Sequence, residues 1–321
     1  MLYYIIFFAL FILILPLLFA PSTPLPFESL VKSVKLYREK FKNVAVPVYN
    51  SFEARDGEKI HYRHYKPIAP PKSICILVHG SSTNSLSMDI LAKKLQDNDF
   101  EVYSLDIRGH GMSGRKGDIK YIGQLEDDLS DFIMFLDKHT TIAKLNLIGF
   151  SSGGGYCLRI AGNKELSKKF VKFIAISPML SALSSTYRKD AGGWVSVSLP
   201  RILYLLALNY FKINIFNKLT VLKFALDAES AYLDNSTTAY SFTLQQNFGL
   251  ELSYEKTIKR IEAETTILVG KDDSLFLAQN YEPEIKKLNP NIKIEMVDNA
   301  DHIDMIYANE ALDKLVKIML S

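Results

Sequence analysis

Short apolar runs and longer stretches of helical periodicity take turns along most of this chain. Residues 51–55 and 59–65, separated by Asp56-Gly57, predict a two-stranded hairpin at a sheet edge. Residues 73–79 form a continuous apolar run, suited to a strand buried on both faces, and residues 101–106, 144–150 and 170–176 predict further strands. Between them, residues 87–96, 124–138 and a segment beginning near Ser152 carry helical spacing. Strand and helix in alternation mean a mostly parallel, twisted sheet with helices on both faces, an α/β class. The rhythm breaks over residues 178–259 and resumes with a strand at 265–269, a helix at 275–287, a strand at 292–297 and a helix at 303–319. The interruption contains Pro200 followed by Ile202, Leu203, Leu205, Leu206, Leu208 and Phe211, with no strand-like alternation, and so predicts a helical insertion. A structureless loop of that length is improbable in a compact domain. We expect it to cap the carboxyl edge of the sheet, where the sites of open α/β sheets lie. Its apolar residues either build the cap's own core or line a channel for an acyl chain.

The amino terminus follows a different pattern. Residues 2–20 carry no charge and, at ~1.5 Å per residue, can cross a hydrocarbon layer of ~30 Å. No Lys or Arg precedes the run and Leu18-Phe19-Ala20 is a mediocre cleavage site, which favours an uncleaved anchor over residues 1–21 to an export signal that is removed to release a secreted or periplasmic protein. Lys32, Lys35, Arg38, Lys40 and Lys42 follow it and would place the body on the cytoplasmic side. Within residues 22–45, Leu30, Val31, Val34, Tyr37 and Phe41 recur at helical spacing among these basic residues, predicting a basic amphipathic linker that either lies on a membrane surface or packs on the body, residues 46–321.

Composition narrows the possibilities further. With 321 residues, 48% of them hydrophobic, the chain can bury a sizeable core, which excludes a disordered class. A net charge of +3 with scattered Lys and Arg offers no argument for nucleic acid. Cys75 and Cys157 both fall inside apolar segments and can build neither a disulfide framework nor a metal cluster.

The chemistry concentrates at Gly149-Phe150-Ser151-Ser152-Gly153, which joins a predicted strand to a predicted helix. A Ser centred in such a turn sits on strained backbone with its hydroxyl clear of the sheet, and flanking glycines are needed where a Cβ would collide with neighbouring elements. The hydroxyl needs a general base, and the base needs an acid that fixes its tautomer. One histidine lies downstream, His302, in a loop after the last predicted strand. The acid belongs in the loop after the preceding strand, where Asp273 fits a Gly-x-x-Asp turn from Gly270 better than the adjacent Asp272; Asp298 and Asp301 suit local loop roles. Two backbone N–H groups must stabilise the developing oxyanion. Ser152, at a helix start, is one candidate donor, and Ser81 is the other, with Ser82 next. His79 suits a structural role in that loop, and His61, His64 and His139 lie on the edge hairpin and at a helix end.

Leu77-Val78-His79-Gly80, then Asp106 to Gly114 reading DIRGHGMSG, then the Ser151 turn, Gly270-x-x-Asp273 and His302 together resemble the α/β-hydrolase superfamily, specifically its monoacylglycerol lipase and lysophospholipase-like branch, often grouped with the serine aminopeptidase-like hydrolases. The resemblance covers about residues 46–321. It implies an α/β-hydrolase fold and cofactor-free, metal-free hydrolysis of acyl esters through an acyl-enzyme, with Ser151 as nucleophile, His302 as base and Asp273 as acid. It also implies that Arg108 and His110 support the site, as His79, Gly80, Gly149 and Gly153 do. A monoacylglycerol or lysophospholipid is the expected substrate, met at a membrane. The alternatives are an aminopeptidase, for which Asp227 or Glu229 could hold a substrate ammonium, and a non-catalytic binding protein of the same fold. A dehalogenase or epoxide hydrolase would need Asp in place of Ser151.

Overall fold

The computed structural model describes residues 45–141, 144–188, 193–226 and 235–321, together with residues 1, 3–4, 14–15, 17–24 and 39. The expected anchor (1–21) and basic linker (22–45) lie largely outside these, as do Asp227 and Glu229. Among the described residues no helix is long and apolar enough to cross a membrane.

The body is an eight-stranded sheet built from β1 (Tyr49–Glu53), β2 (Lys59–Tyr65), β3 (Ile74–Val78), β4 (Glu101–Leu105), β5 (Leu145–Phe150), β6 (Lys172–Ile176), β10 (Thr265–Gly270) and β11 (Lys293–Val297). Their spatial order is β1-β2-β4-β3-β5-β6-β10-β11. The hairpin partners β1 and β2 run antiparallel, β2 is antiparallel to β4, and every later pairing is parallel. With period 2 along the strands, successive side chains reach opposite faces. Ile74, Ile76 and Val78 join one core with Leu147, Phe173, Ile267, Phe132, Leu158 and Ile285. Cys75 and Leu77 join the other with Ile148, Ile174, Leu268, Leu91, Leu95 and Leu315. Helices α1 (Asp89–Gln96) and α8 (Asn309–Leu320) cover the second face; α2 (Gln124–His139), α3 (Ser152–Ala161) and α7 (Tyr281–Leu288) cover the first. Both cysteines are buried and free, and burial pushes their thiols up.

The insertion between β6 and β10 is not purely helical. It contains an antiparallel sheet of β7 (Val195–Val197), β8 (Thr220–Phe224) and β9 (Ala239–Ser241), plus α4 (Leu199–Tyr210) and α5 (Phe242–Asn247). Strands of three to five residues are too short for alternation to stand out in sequence. Ile202, Leu205, Leu208, Val221 and Phe242 form a separate small core there. The expected boundary at residue 259 also moves. Helix α6 (Tyr254–Lys259) belongs to the body, where the Tyr254 hydroxyl donates to Glu284 Oε1 at 2.6 Å and Asn289 Nδ2 donates to Ile258 O at 3.0 Å.

Two predicted helices are shorter than their periodicity. The segment expected at 275–287 opens with the Leu275 and Phe276 amides turned onto Asp273, passes through a 3-10 turn at Ala278–Asn280 and becomes α-helical only at Tyr281. The segment expected at 303–319 starts as a 3-10 turn and breaks at Ala308, which is extended, before α8. The end of the N-terminal run touches the insertion: Leu17 O accepts from Arg201 Nη2 at 3.0 Å and Phe19 O from Ser198 Oγ.

Candidate active site

Parallel strands bring their carboxyl ends, and therefore the loops that follow them, to one edge of the sheet. Strand β5 lies between β3 and β6, with Gly149 opposite Val78 on one side and Ala175 on the other. The turn after it carries Ser151 at φ 55°, ψ −116°, a conformation that costs a non-glycine residue ~1–3 kcal/mol and persists where the surroundings hold it. They do so here: Ser151 N–H donates to Ile176 O, while Ser151 O accepts from Gly155 and Met179. A Cβ on Gly149 would stand 1.9 Å from Gly153 O, and one on Gly153 would stand 2.4 Å from both Val78 O and His79 O. Close approach of strand and helix is therefore what demands glycine at 149 and 153.

The loop after β10 and the loop after β11 meet beside this turn. His302 Nδ1 lies 2.8 Å from Asp273 Oδ2, both groups being almost wholly buried, at 2% and 1% exposure. Asp273 Oδ1 accepts from the Leu275 and Phe276 amides at 2.9 Å each. Burial by itself would raise this carboxyl, but the His302 imidazole and the two amides outweigh it and hold Asp273 below the ordinary carboxylate value. The imidazole is held between the rings of Phe150, at 4.8 Å, and Phe276, at 5.2 Å. Ser151 is 5% exposed, and no hydrogen bond joins its Oγ to His302 in this structure. Such contacts are often loose without substrate. Asp272 is exposed, whereas Asp273 is buried. Asp301 Oδ1 accepts from the Ser274 and His302 amides, and Asp298 pairs with Lys271 at the surface, so both have the local roles expected of them.

The loop after β3 borders the same space. An ideal Cβ on Gly80 would lie 3.3 Å from Ser151 Cβ, and the Ser81 and Ser152 hydroxyls are hydrogen-bonded to each other. Both predicted oxyanion residues therefore stand side by side. The Ser82 amide is committed elsewhere, donating to the Tyr240 hydroxyl at 2.7 Å. His79 has both nitrogens occupied: Nδ1 donates to Gly80 O at 2.7 Å and Nε2 accepts from Ile107 N at 3.2 Å. That assigns its tautomer, and burial drives its pKa down, so it is a neutral brace.

The supporting residues form a second layer. Arg108 makes a two-pronged pair with Asp128, at 2.8 and 2.6 Å, and a looser one with Asp56, at 3.2 and 3.0 Å. His110 is fully buried with Nε2 2.6 Å from the Tyr240 hydroxyl, and burial, reinforced by nearby His79, takes its pKa well below the usual histidine range. The roles of two residues here escaped sequence reasoning, although Asp106 opens the DIRGHGMSG motif. Asp106 accepts from Ser85 N with one oxygen and Met112 N with the other, tying the loops after β3 and β4 together. Its signal was Gly111, where φ is 52° and a Cβ would fall 1.9 Å from Asp106 Oδ2. Tyr240 left no local signal, since its partners lie far away in sequence. His61, His64 and His139 stand apart from the site; His64 pairs with Glu101 and His139 with Phe135 O.

Among the described residues no group of side chains could hold a metal ion. The family model described as serine aminopeptidase, S33 matches residues 69–303, from just before β3 to just past His302. The chain belongs to that family. Within the serine aminopeptidase S33 family, this chain is similar to the monoglyceride lipase of Rattus norvegicus, at 28% identity over 151 residues, 46% of this chain and 49% of the relative. It is similar also to the monoacylglycerol lipase of Mycolicibacterium smegmatis, at 29% over 156 residues, 45% and 55%. The chain thus spans about half the length of the curated relatives it matches. A soluble variant of monoglyceride lipase from Saccharomyces cerevisiae, solved with a substrate analog, superposes with a TM-score of 0.62 over 86% of this chain and 94% of its own, at 18% identity. The monoacylglycerol lipase of Paleococcus ferrophilus gives 0.59 over 81% and 97%, at 20% identity. These likenesses show the α/β-hydrolase fold.

Proposed function

We propose that this S33-family chain is a serine hydrolase of carboxylic esters, with a monoacylglycerol as the substrate class. The observation that carries the proposal is the Asp273–His302 pair buried beside a serine on a positive-φ turn, with Ser81 and Ser152 adjoining. In the reaction, Ser151 Oγ attacks the ester carbonyl and passes its proton to His302 Nε2, while the Ser81 and Ser152 amides receive the oxyanion. Collapse of the tetrahedral intermediate breaks the acyl carbon–oxygen bond, and His302 returns the proton to the departing alcohol. A water, deprotonated by His302, then releases the fatty acid. Asp273 holds the imidazole in the required tautomer and stabilises its charged form.

The lipid nature of the substrate is supported by the relatives named monoglyceride lipase and by the uncharged run at residues 2–20, which would tether residues 46–321 to the membrane where such esters reside. Labelling by a fluorophosphonate, abolished in Ser151→Ala, tests the serine. Turnover across acyl esters of two to eighteen carbons, beside aminoacyl arylamides and with Ser151→Ala as the blank, tests the substrate. Faster cleavage of the arylamides would replace the lipase reading with a peptidase.

A further inference from the structure

We propose that Tyr240 is a positioning residue that sets the oxyanion loop from the insertion side, so that the insertion itself completes the reactive site. The inference rests on the serine-hydrolase reading above. Two consecutive peptide groups decide where the Ser81 amide points. In the Gly80–Ser81 peptide, Gly80 O accepts from His79 Nδ1 and from Thr83 Oγ1, at 2.7 and 3.1 Å. A trans peptide directs its C=O and N–H oppositely, so pinning that oxygen aims the Ser81 N–H the other way. The next peptide carries the Ser82 N–H, and its acceptor is not in the body but on β9: the Tyr240 hydroxyl, at 2.7 Å.

Ser82 needs such a hold, because its φ of 62° lies in the left-handed region that serine rarely occupies. Its carbonyl is held by the same strand segment, accepting from Thr237 N–H at 2.8 Å. Tyr240 is in turn fixed at both ends. Its ring is buried at 4.8 Å from Phe224 and 5.1 Å from His110, and its hydroxyl meets His110 Nε2 at 2.6 Å. With the hydroxyl accepting from Ser82, its own proton is available to His110 Nε2 or to the nearby Ser81 side chain. The whole β9 segment is stitched to the loops after β3 and β4: Thr237 Oγ1 donates to Gly109 O and Ser241 N–H to Gly117 O. A Cβ at Gly117, where φ is 75°, would stand 2.1 Å from Ala239 O. The contact is therefore built from both sides.

Tyr240→Phe removes one oxygen and keeps the ring. Without its acceptor the Ser81–Ser82 peptide is free to turn; Gly80 O still holds the Ser81 N–H in direction, but the residue that carries it shifts, so the donor is displaced rather than lost. Loss of an oxyanion donor costs about 100- to 1000-fold, so this partial misplacement should lower kcat by about 10- to 100-fold, with KM within about twofold. A merely structural effect would weaken every ligand alike. The test is therefore a pair of inhibitors: a trifluoromethyl ketone, which forms a hemiketal oxyanion on Ser151, and the matching non-hydrolysable ether. Y240F should lose affinity for the ketone in parallel with kcat/KM and leave the ether unchanged. Equal losses for the two, or a kcat within twofold of wild type, overturn the proposal. If Y240F does not fold, His110→Gln, which loosens the far end of the same hydroxyl, must give the same split at smaller amplitude; a uniform loss there also overturns it. Wild-type turnover and fluorophosphonate labelling run alongside. Their absence would sink the serine-hydrolase reading, whereas their presence with an indifferent Y240F would sink only the role of Tyr240.

Discussion

Replacing Asp273 by Asn tests the site at its most constrained atom pair. Asp273 Oδ1 accepts two backbone amides, from Leu275 and Phe276, while Oδ2 faces His302 Nδ1. In D273N only the amide oxygen can serve those two N–H groups, so the NH2 is forced into the Oδ2 position. There it donates to His302 Nδ1, which must become an acceptor, and the imidazole proton moves to Nε2. In the proposed reaction the nitrogen that has to take the serine proton is then already protonated. A wrong-tautomer change of this kind costs about 10⁴ in kcat, and at about 1.4 kcal/mol per decade that is about 5.5 kcal/mol of transition-state stabilisation. KM should change little, because neither atom is placed to bind ground-state ester. The assay is kcat for p-nitrophenyl butyrate against pH, with D272N as the companion, since Asp272 is exposed and only Asp273 pairs with His302. A D273N enzyme that keeps more than a tenth of wild-type kcat, or a D272N enzyme that loses as much, would refute the argument.

The remaining expectations concern what holds the site in shape. Gly153→Ala would set a methyl 2.4 Å from His79 O and Val78 O, both backbone atoms that cannot step aside, and urea unfolding should show a loss of about 3 kcal/mol or an insoluble protein. Arg108→Met leaves the buried Asp128 carboxylate without its two-pronged partner and should cost about 3–5 kcal/mol by denaturant titration; adding D128N should recover part of it. The Asp56 carboxyl, raised by burial but lowered more by Lys120 and Arg108, sits at about 2 against an ordinary 3.8. A carboxyl depressed on folding contributes stability above its ordinary value and loses that contribution as pH falls from about 4 to about 2. The stability gap between wild type and Asp56→Asn should therefore be full near neutral pH and close across that window; a gap that stays constant down to pH 2 contradicts the assignment.

How much was legible in the chain varied with the range of the forces involved. Strands β3, β5, β6 and β10 were readable because a strand covered on both faces must be apolar throughout, and the helices between them because one face must repeat every three to four residues. Helix ends misread as periodic, at Leu275 and Phe276, were those whose amides are spent on a side chain rather than on the helix ladder. Strands β7, β8 and β9 went unread because three to five residues carry too little alternation, and their pairing is enforced by partners and by Phe242, Val221 and Leu205 packing elsewhere in the insertion.

By itself the sequence determined the layered α/β order, the glycines of the Ser151 turn and a single downstream histidine, since each follows from local geometry or from elimination. Turn chemistry already favoured Asp273 over Asp272 and placed Ser81 ahead of Ser82, but only the tertiary structure shows which carboxylate faces His302 and which serine amide is committed elsewhere. Asp273 rather than Asp272 turns inward because two amides of its own loop take one oxygen. Ser82 is withdrawn from contention by Tyr240, 158 residues away. Neighbours in sequence have the same composition and nearly the same address; what separates them is the direction of a backbone, set by hydrogen bonds that close only when distant segments meet.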